Sequence, residues 1–216
     1  MRVEVAGTEL ELMAERAAYW PERATLFVAD THWGKAAAFR ANLIPVPGGT
    51  TESDLARLTS AILRTSPRRI VLLGDALHSR DGRSEKTFQS LAAWRARHAE
   101  IEILLVRGNH DRKAGDPPEG LGIHCVDAPV IEAPFVFQHH PSETPAGYAL
   151  AGHIHPAVRL RGRGLQRATL PCFHFAPGVA TLPAFGSFCG SALIQPGPAD
   201  RVYAIADDEI VNIWRR

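Results

Sequence analysis

Gly108-Asn109-His110-Asp111 follows directly on Ile101-Glu102-Ile103-Leu104-Leu105-Val106-Arg107. The apolar run reads as a buried strand. A glycine then turns the chain, and an amide, an imidazole and a carboxylate follow at once. Packing gives no reason to set three such groups at the end of a buried strand. Ligand chemistry does, because strand ends in α/β sheets are where ligands are held. One tetrapeptide says little by itself, but four other apolar runs end in the same manner.

Thr25-Leu26-Phe27-Val28-Ala29 leads into Asp30-Thr31-His32-Trp33-Gly34-Lys35, and Arg69-Ile70-Val71-Leu72-Leu73 into Gly74-Asp75-Ala76-Leu77-His78. Phe135-Val136-Phe137 leads into Gln138-His139-His140-Pro141, and Tyr148-Ala149-Leu150-Ala151 into Gly152-His153-Ile154-His155-Pro156. Asp30 with His32, and His153 with His155, stand two apart. On an extended chain such residues point the same way, so Asp30 and His32 can reach one ion, and His153 and His155 share one face.

Helical patterns lie between these runs. Ala36 to Arg40 begins a short helix. Thr50 or Thr51 caps a second, with Leu55, Leu58, Ile62 and Leu63 as its apolar face and Pro67 beyond its end. Phe88, Leu91 and Trp94 space a third, and His98 near its end reads as a surface or C-cap residue. Met1 to Glu15 alternates as an opening strand or hairpin. Beyond His155 the chain reads as sheet: a basic hairpin from Val158 to Arg167, a turn region from Thr181 to Phe188, then strands over Ser191–Gln195, Val202–Ala206 and Ile210–Trp214. The pattern predicts one α/β domain over residues 1–216, without a separate capping domain.

Composition sets the outer bounds. The chain has 216 residues, enough for one domain with a real core. No apolar run approaches the ~20 residues of a membrane helix. Met1-Arg2-Val3-Glu4-Val5 starts no secretion signal, which predicts a cytoplasmic protein. Cys125, Cys172 and Cys189 form no C-x-x-C pair, so they read as reduced, mostly buried thiols. A net charge of +1 gives no strong overall field, and any nucleic-acid contact would need a local basic stripe.

The strand ends together offer Asp30, His32, Asp75, Asn109, His139, His153 and His155. Carboxylate, imidazole and amide donors without thiolates suit Mn²⁺, Fe or Zn²⁺ better than Ca²⁺. The set is too large for one catalytic ion that must keep an open position. It fits two ions ~3.5–4 Å apart sharing one carboxylate, an arrangement that polarises phosphoryl groups and activates water.

In order, D-x-H, G-D, G-N-H-D, a lone His and G-H-x-H resemble the binuclear metallophosphoesterase (calcineurin-like) superfamily. The resemblance implies a four-layer α/β/β/α sandwich of two mixed sheets flanked by helices. It implies that one ion takes Asp30, His32, Asp75 and His155, and the other Asp75, Asn109, His139 and His153. His139 matches the family's His-x-Pro context, although His140 stands beside it; adjacent strand residues face opposite sides. It further implies that His110 stabilises the phosphoryl transition state or protonates the leaving oxygen, with Asp111 positioning it. Phosphoprotein phosphatases of the superfamily carry G-D-x-x-D-R-G. Here His78 stands three after Asp75. That placement is similar to the family's DNA-repair nucleases, where this histidine contacts the scissile phosphate.

A longer resemblance rests on Trp33-Gly34-Lys35 with Phe39-Arg40, Ile44-Pro45-Val46-Pro47-Gly48, Gly152 to Ala157, Leu170-Pro171-Cys172-Phe173, and Leu182 to Phe188. These stretches are similar to the ligase-associated DNA-damage-response phosphoesterases of the PdeM group. That group implies a Mn²⁺-dependent DNA endonuclease favouring single strands, acting in DNA repair beside a helicase or ligase. Lys35, Arg40, Arg80, Arg159, Arg161 and Arg163 are the candidate phosphate-binding cations. Hydrolysis of a small cyclic or dinucleotide phosphodiester, or of a phosphomonoester, is the alternative enzyme reading. A metal-free interaction scaffold is the alternative of another class, and the intact ligand set and His110 weigh against it.

Overall fold

The computed structural model describes residues 1–162, 164 and 166–213. Two of the sequence assignments, Arg163 in the hairpin and Trp214 in the last strand, lie outside the described residues.

The first sheet begins with three strands that lead into the parallel part: β1 (Arg2–Val5), β2 (Thr8–Met13) and β3 (Ala17–Trp20). They run antiparallel into β4 (Thr25–Val28). From there β4, β5 (Arg69–Leu72), β6 (Glu102–Val106) and β7 (Ile123–Val126) are parallel neighbours in sheet order. Parallel pairing sends the carboxyl ends of β4, β5 and β6 to one edge, and with them Asp30, Asp75 and Asn109.

The second sheet repeats that geometry. β9 (Phe135–Phe137), β10 (Tyr148–Ala151) and β13 (Val179–Thr181) run parallel. The carboxyl ends of β9 and β10 deliver His139 and His153. β8 (Val130–Glu132) pairs with β9, and β11 (Pro156–Arg161), β12 (Arg167–Phe175), β14 (Ala192–Leu193), β15 (Arg201–Ala206) and β16 (Glu209–Asn212) complete the sheet. A parallel bridge from Ala29 to Ala184 joins the two sheets beside Asp30.

Apolar residues on both faces of β5 and β6 explain their unbroken hydrophobic runs. Val71, Leu73, Leu104 and Val106 face the second sheet, where Phe27, Phe135, Phe137, Leu150 and Phe173 fill the space between sheets. Ile70, Leu72, Ile103 and Leu105 face outward, under the helices α2 (Thr50–Thr65) and α3 (Glu85–Arg97). Leu55, Leu58 and Ile62 anchor α2 there, and Leu91 and Trp94 anchor α3. The two mixed sheets with flanking helices form the α/β metallophosphoesterase sandwich.

Several local readings need correction. Leu63 does not belong to the buried face of α2; it is 76% exposed. Neither Thr50 nor Thr51 caps that helix, since Gly49 takes the N-cap position in a left-handed conformation. The Thr51 hydroxyl instead accepts a hydrogen bond from the Gly34 N–H, tying α2 to the loop ahead of α1 (Lys35–Ala41). His98 does cap α3, but it is buried against Trp94 and the Thr59 hydroxyl. The stretch after Gly108, given no element from the sequence, is a short helix, α4 (Asn109–Ala114). Of the thiols, only Cys172 is fully buried; Cys125 and Cys189 are half-buried.

Candidate metal centre

Asp30, His32, Asp75, His153 and His155 all have positive φ, between 44° and 76°. None of them is glycine, and such residues rarely occupy the left-handed region. The D-x-H and H-x-H pairs therefore do not reach the site by strand alternation, as expected from the sequence. β4 ends at Val28 and β10 at Ala151, two residues before each pair begins, and the backbone then curls so that both members of a pair turn inward. Strain of this kind persists where the surrounding structure over-determines it. Here the Asp30 N–H is held by the Gly74 carbonyl and the His32 N–H by the Asp75 carbonyl.

The curled strand ends bring the donors together. The Nε2 atoms of His32 and His155 are 3.4 Å apart, and the Oδ1 of Asp30 lies 3.6 Å from the latter. The Nε2 of His139 lies 3.0 Å from the Asn109 Oδ1, 3.1 Å from the His153 Nδ1 and 3.4 Å from the Asp75 Oδ2. The same Asp75 oxygen is 3.9 Å from the His32 Nε2. Asp75 thus stands between two clusters, one around Asp30, His32 and His155 and one around Asn109, His139 and His153. His140 is exposed and packs its ring edge-on against His139 and His153.

Ring orientations follow from backbone anchors. The Nδ1–H of His139 donates to the Leu73 carbonyl at 3.0 Å, and that of His155 to the Gly190 carbonyl at 3.0 Å. Anchoring one ring nitrogen fixes the tautomer and leaves the other as a lone-pair donor, the usual device at metal-bound histidines. Glycines make room for the rings and carboxylates. A Cβ on Gly74 would stand 2.2 Å from the His139 ring, and one on Gly108 2.2 Å from the Asp75 Oδ1.

These residues fit divalent cations. The Oδ1 of Asp30 is buried with no hydrogen-bond partner, a costly condition for a carboxylate oxygen that a cation relieves. Burial pushes the Asp75 carboxyl up, but the hydrogen bond and charge of His139 outweigh it, aided by the His110 N–H, and hold it at about 2. Burial drives His32 down to about 2. An ionised carboxylate and neutral imidazoles are the forms a metal binds. Burial lowers His139 and His155, but the hydrogen bonds and charges of Asp75 and Asp30 raise them above the ordinary imidazole value, so a bound cation would displace their protons.

The remaining expected residues sit around this core. The His110 N–H donates to the Asp75 Oδ1 at 2.8 Å, and the His110 Nδ1–H to the His78 carbonyl at 2.6 Å. Its Nε2 then faces the site, 4.0 Å from the Asp75 Oδ2. The His78 ring stacks on that of His110 at 5.0 Å, and burial with Lys35 and His110 nearby lowers His78 to about 4. Asp111 acts on the backbone around His110. Its buried carboxylate accepts the N–H groups of Gly108 and Leu77, so it locks the turn that carries His110. The basic residues are scattered. Arg40 is turned to the carbonyls of Val46 and Pro47, and Arg80 to that of Lys113. Arg159 and Arg161 lie exposed on β11, which leads away from His155.

Residues 24–153 match the calcineurin-like phosphoesterase family. The chain belongs to that family. It is a metal-dependent phosphoesterase, and its family uses a binuclear divalent metal centre. A crystal structure of a Pseudomonas putida nuclease, MPE, shares 41% identity over 98% of this chain and 99% of that one, with a TM-score of 0.87. Yfce, a phosphoesterase from E. coli, shares 16% identity over 87% of this chain and 96% of its own, at a TM-score of 0.39. A protein of unknown function from Aquifex aeolicus, AQ665, shares 15% over 65% and 82%, at 0.38. The latter two likenesses are too distant to bear on function. No curated protein matches the chain. No helix among the described residues is long and apolar enough to cross a membrane.

Two residues with structural roles were not singled out in the sequence. Asp54, which reads as an ordinary acidic residue of a helix first turn, is buried; it accepts the Ser187 N–H and pairs with Arg57 at 2.8 Å. Arg16, at φ 64°, reaches the carbonyls of Ala184 and Gly186. Both fix the segment that brackets Asp30 from the second sheet. Neither carries a motif that could have revealed it.

Proposed function

We propose that this phosphoesterase is a DNA endonuclease favouring single strands, that Mn²⁺ is its metal, and that it acts in DNA repair in the cytoplasm. The observation that carries the nuclease reading is the similarity, over nearly the whole length of both chains, to the Pseudomonas putida nuclease. A histidine in the His78 position and the flanking PdeM-like stretches support the narrower DNA assignment. A helicase or ligase partner rests on that resemblance alone.

In this reading Asp30, His32, Asp75 and His155 hold one ion, and Asp75, Asn109, His139 and His153 hold the other. When bound, the ions would polarise the phosphoryl group and lower the pKa of water toward neutrality. The chain's own groups do the rest. With its Nδ1–H committed to the His78 carbonyl, His110 has only Nε2 with which to give a proton to the leaving oxygen. The His32 Nε2 faces the cluster, so its Nδ1 carries the hydrogen and donates to the His78 Nδ1, 3.4 Å away. That leaves the His78 proton on Nε2. Held neutral, His78 offers this N–H to a phosphate oxygen as a hydrogen bond.

The site is open on its flanks. The His110 side chain keeps 35% of its surface exposed. A hollow of about 390 Å³, walled by Asn109, Arg112, His139 and Ser142, adjoins one side. A second, of about 130 Å³, adjoins His155 on the other. A backbone that continues past the reacting phosphate in both directions can be accommodated, as an endonuclease requires. A flexible strand can enter such a site more easily than a stiff duplex.

The test sets Mn²⁺-loaded protein against closed circular single-stranded DNA, linear duplex, a cyclic nucleotide and a phosphomonoester. Cutting of the circle, far faster than of duplex, is expected. Rapid turnover of the cyclic nucleotide with the circle intact would favour the small-molecule reading.

A further inference from the structure

An aromatic pair stands beside the reacting groups and has no part in the metal chemistry. Phe39, on α1, and Phe188 meet edge to face at 5.4 Å, and the Phe39 ring lies 6.2 Å from that of His78. Both phenylalanines are only partly buried. His78 in turn touches His32, so Phe39 is two rings away from the metal cluster. Neither phenylalanine belongs to any of the buried hydrophobic clusters.

The loop after α1 adds further apolar surface. Leu43 is 92% exposed and Ile44 47%. Leu43 also holds a φ of 60°, a strained setting for an apolar residue presented to solvent. The loop is nonetheless tied down. The Ile44 N–H bonds the Phe39 carbonyl, Asn42 bonds Ala38 and Asp81, and Arg40 holds the carbonyls of Val46 and Pro47. Lys35, at the start of the same helix, supplies positive charge near His78 and His32.

An anchored apolar and aromatic edge, next to a phosphate-reacting centre and beside a cation, has the chemistry of a base-stacking platform. We infer that Phe39 and Phe188, with the Leu43-Ile44 loop, form a stacking platform for an unpaired nucleobase next to the scissile phosphodiester. The inference rests on the nuclease reading and gives it a physical basis for single-strand preference. A base can lie on the platform only when it is free of its duplex partner and neighbours, and unstacking a paired base costs a few kcal/mol.

The test uses single-stranded oligonucleotides carrying 2-aminopurine, whose fluorescence falls when it stacks. The Mn²⁺-loaded His110→Ala protein serves as a binding-competent background with turnover suppressed. Placed in turn along the strand, the probe should be quenched strongly at one position. Adding Phe39→Ala and Phe188→Ala should abolish that quench and weaken binding about tenfold. Phe188→Tyr should keep the quench, whereas Phe188→Leu, which keeps the apolar bulk, should lose most of it. Quenching that survives removal of both rings, or is equally lost in Phe188→Tyr with unchanged melting, would overturn the platform while leaving the nuclease reading intact. If no single strand binds or is cut by the native protein, the nuclease reading itself falls, and the platform with it.

Discussion

The strand-end cluster and the β11–β12 hairpin are both rich in charge, yet they handle it in opposite ways. At the strand ends, Asp30 and Asp75 are almost wholly buried, and each backbone-anchored imidazole has an assigned direction. On the hairpin, Arg159 and Arg161 are exposed, on a strand that pairs them with Thr169 and Arg167. Burying charge is expensive unless something returns the energy, and a cation held by these donors would return it at the strand ends. The hairpin has no such cost and demands no such explanation. Function can therefore be argued residue by residue in the first region. In the second it can be tested only through long-range effects on a charged polymer.

The largest expected effect comes from Asp75→Ala. It removes the carboxylate that faces both donor clusters, and phosphodiesterase activity should fall further than the ~10²–10³-fold typical of losing a single transition-state donor. A rate assay across metal concentrations checks this; activity recovered by excess Mn²⁺ would mean Asp75 does not join the two clusters. Next is His110→Ala, expected to lower turnover ~10²–10³-fold while metal content is unchanged. Loss of metal in step with rate would make His110 a ligand instead.

Gly108→Ala should have a smaller but broader effect. The added Cβ would stand 2.6 Å from the Asp75 backbone nitrogen as well as against its carboxylate, and backbone cannot step aside cheaply. A destabilisation of ~1–3 kcal/mol is expected in thermal or denaturant melts. Metal affinity should drop ~10–100-fold, as when a group that supports a metal ligand is removed. A melt and metal affinity like the native protein's would show that the site tolerates movement of Asp75. The smallest effect is predicted for Arg159→Ala with Arg161→Ala. Single-strand affinity should weaken a few-fold, and the salt dependence of binding should shallow by about 0.7 for each phosphate that is no longer neutralised. An unchanged slope would leave the hairpin a bystander to DNA.

The same contrast explains what could be read from the sequence. Strand ends announced themselves because Asp30, Asp75, Asn109 and the histidines have no packing reason to follow apolar runs. The fold was legible for a related reason: β5 and β6 are apolar on both faces, which only a covered sheet requires. What stayed hidden depends on backbone or on distant partners. The left-handed conformations at Asp30, His32, Asp75, His153 and His155 leave no trace in residue type, because glycine would be the ordinary signal and none of these is glycine. β3 and β8 are too short to show a period. α4 is six polar and small residues without an apolar stripe. Asp54 draws its role from Ser187, far along the chain, a pairing that no local pattern encodes.

The most direct test of a shared two-ion centre is the metal stoichiometry of the protein loaded with Mn²⁺ and freed of excess by equilibrium dialysis. Two equivalents per chain are predicted for the native protein, with both lost in Asp75→Ala. A native protein that holds only one ion, or an Asp75→Ala variant that still holds two, would contradict a centre shared through Asp75.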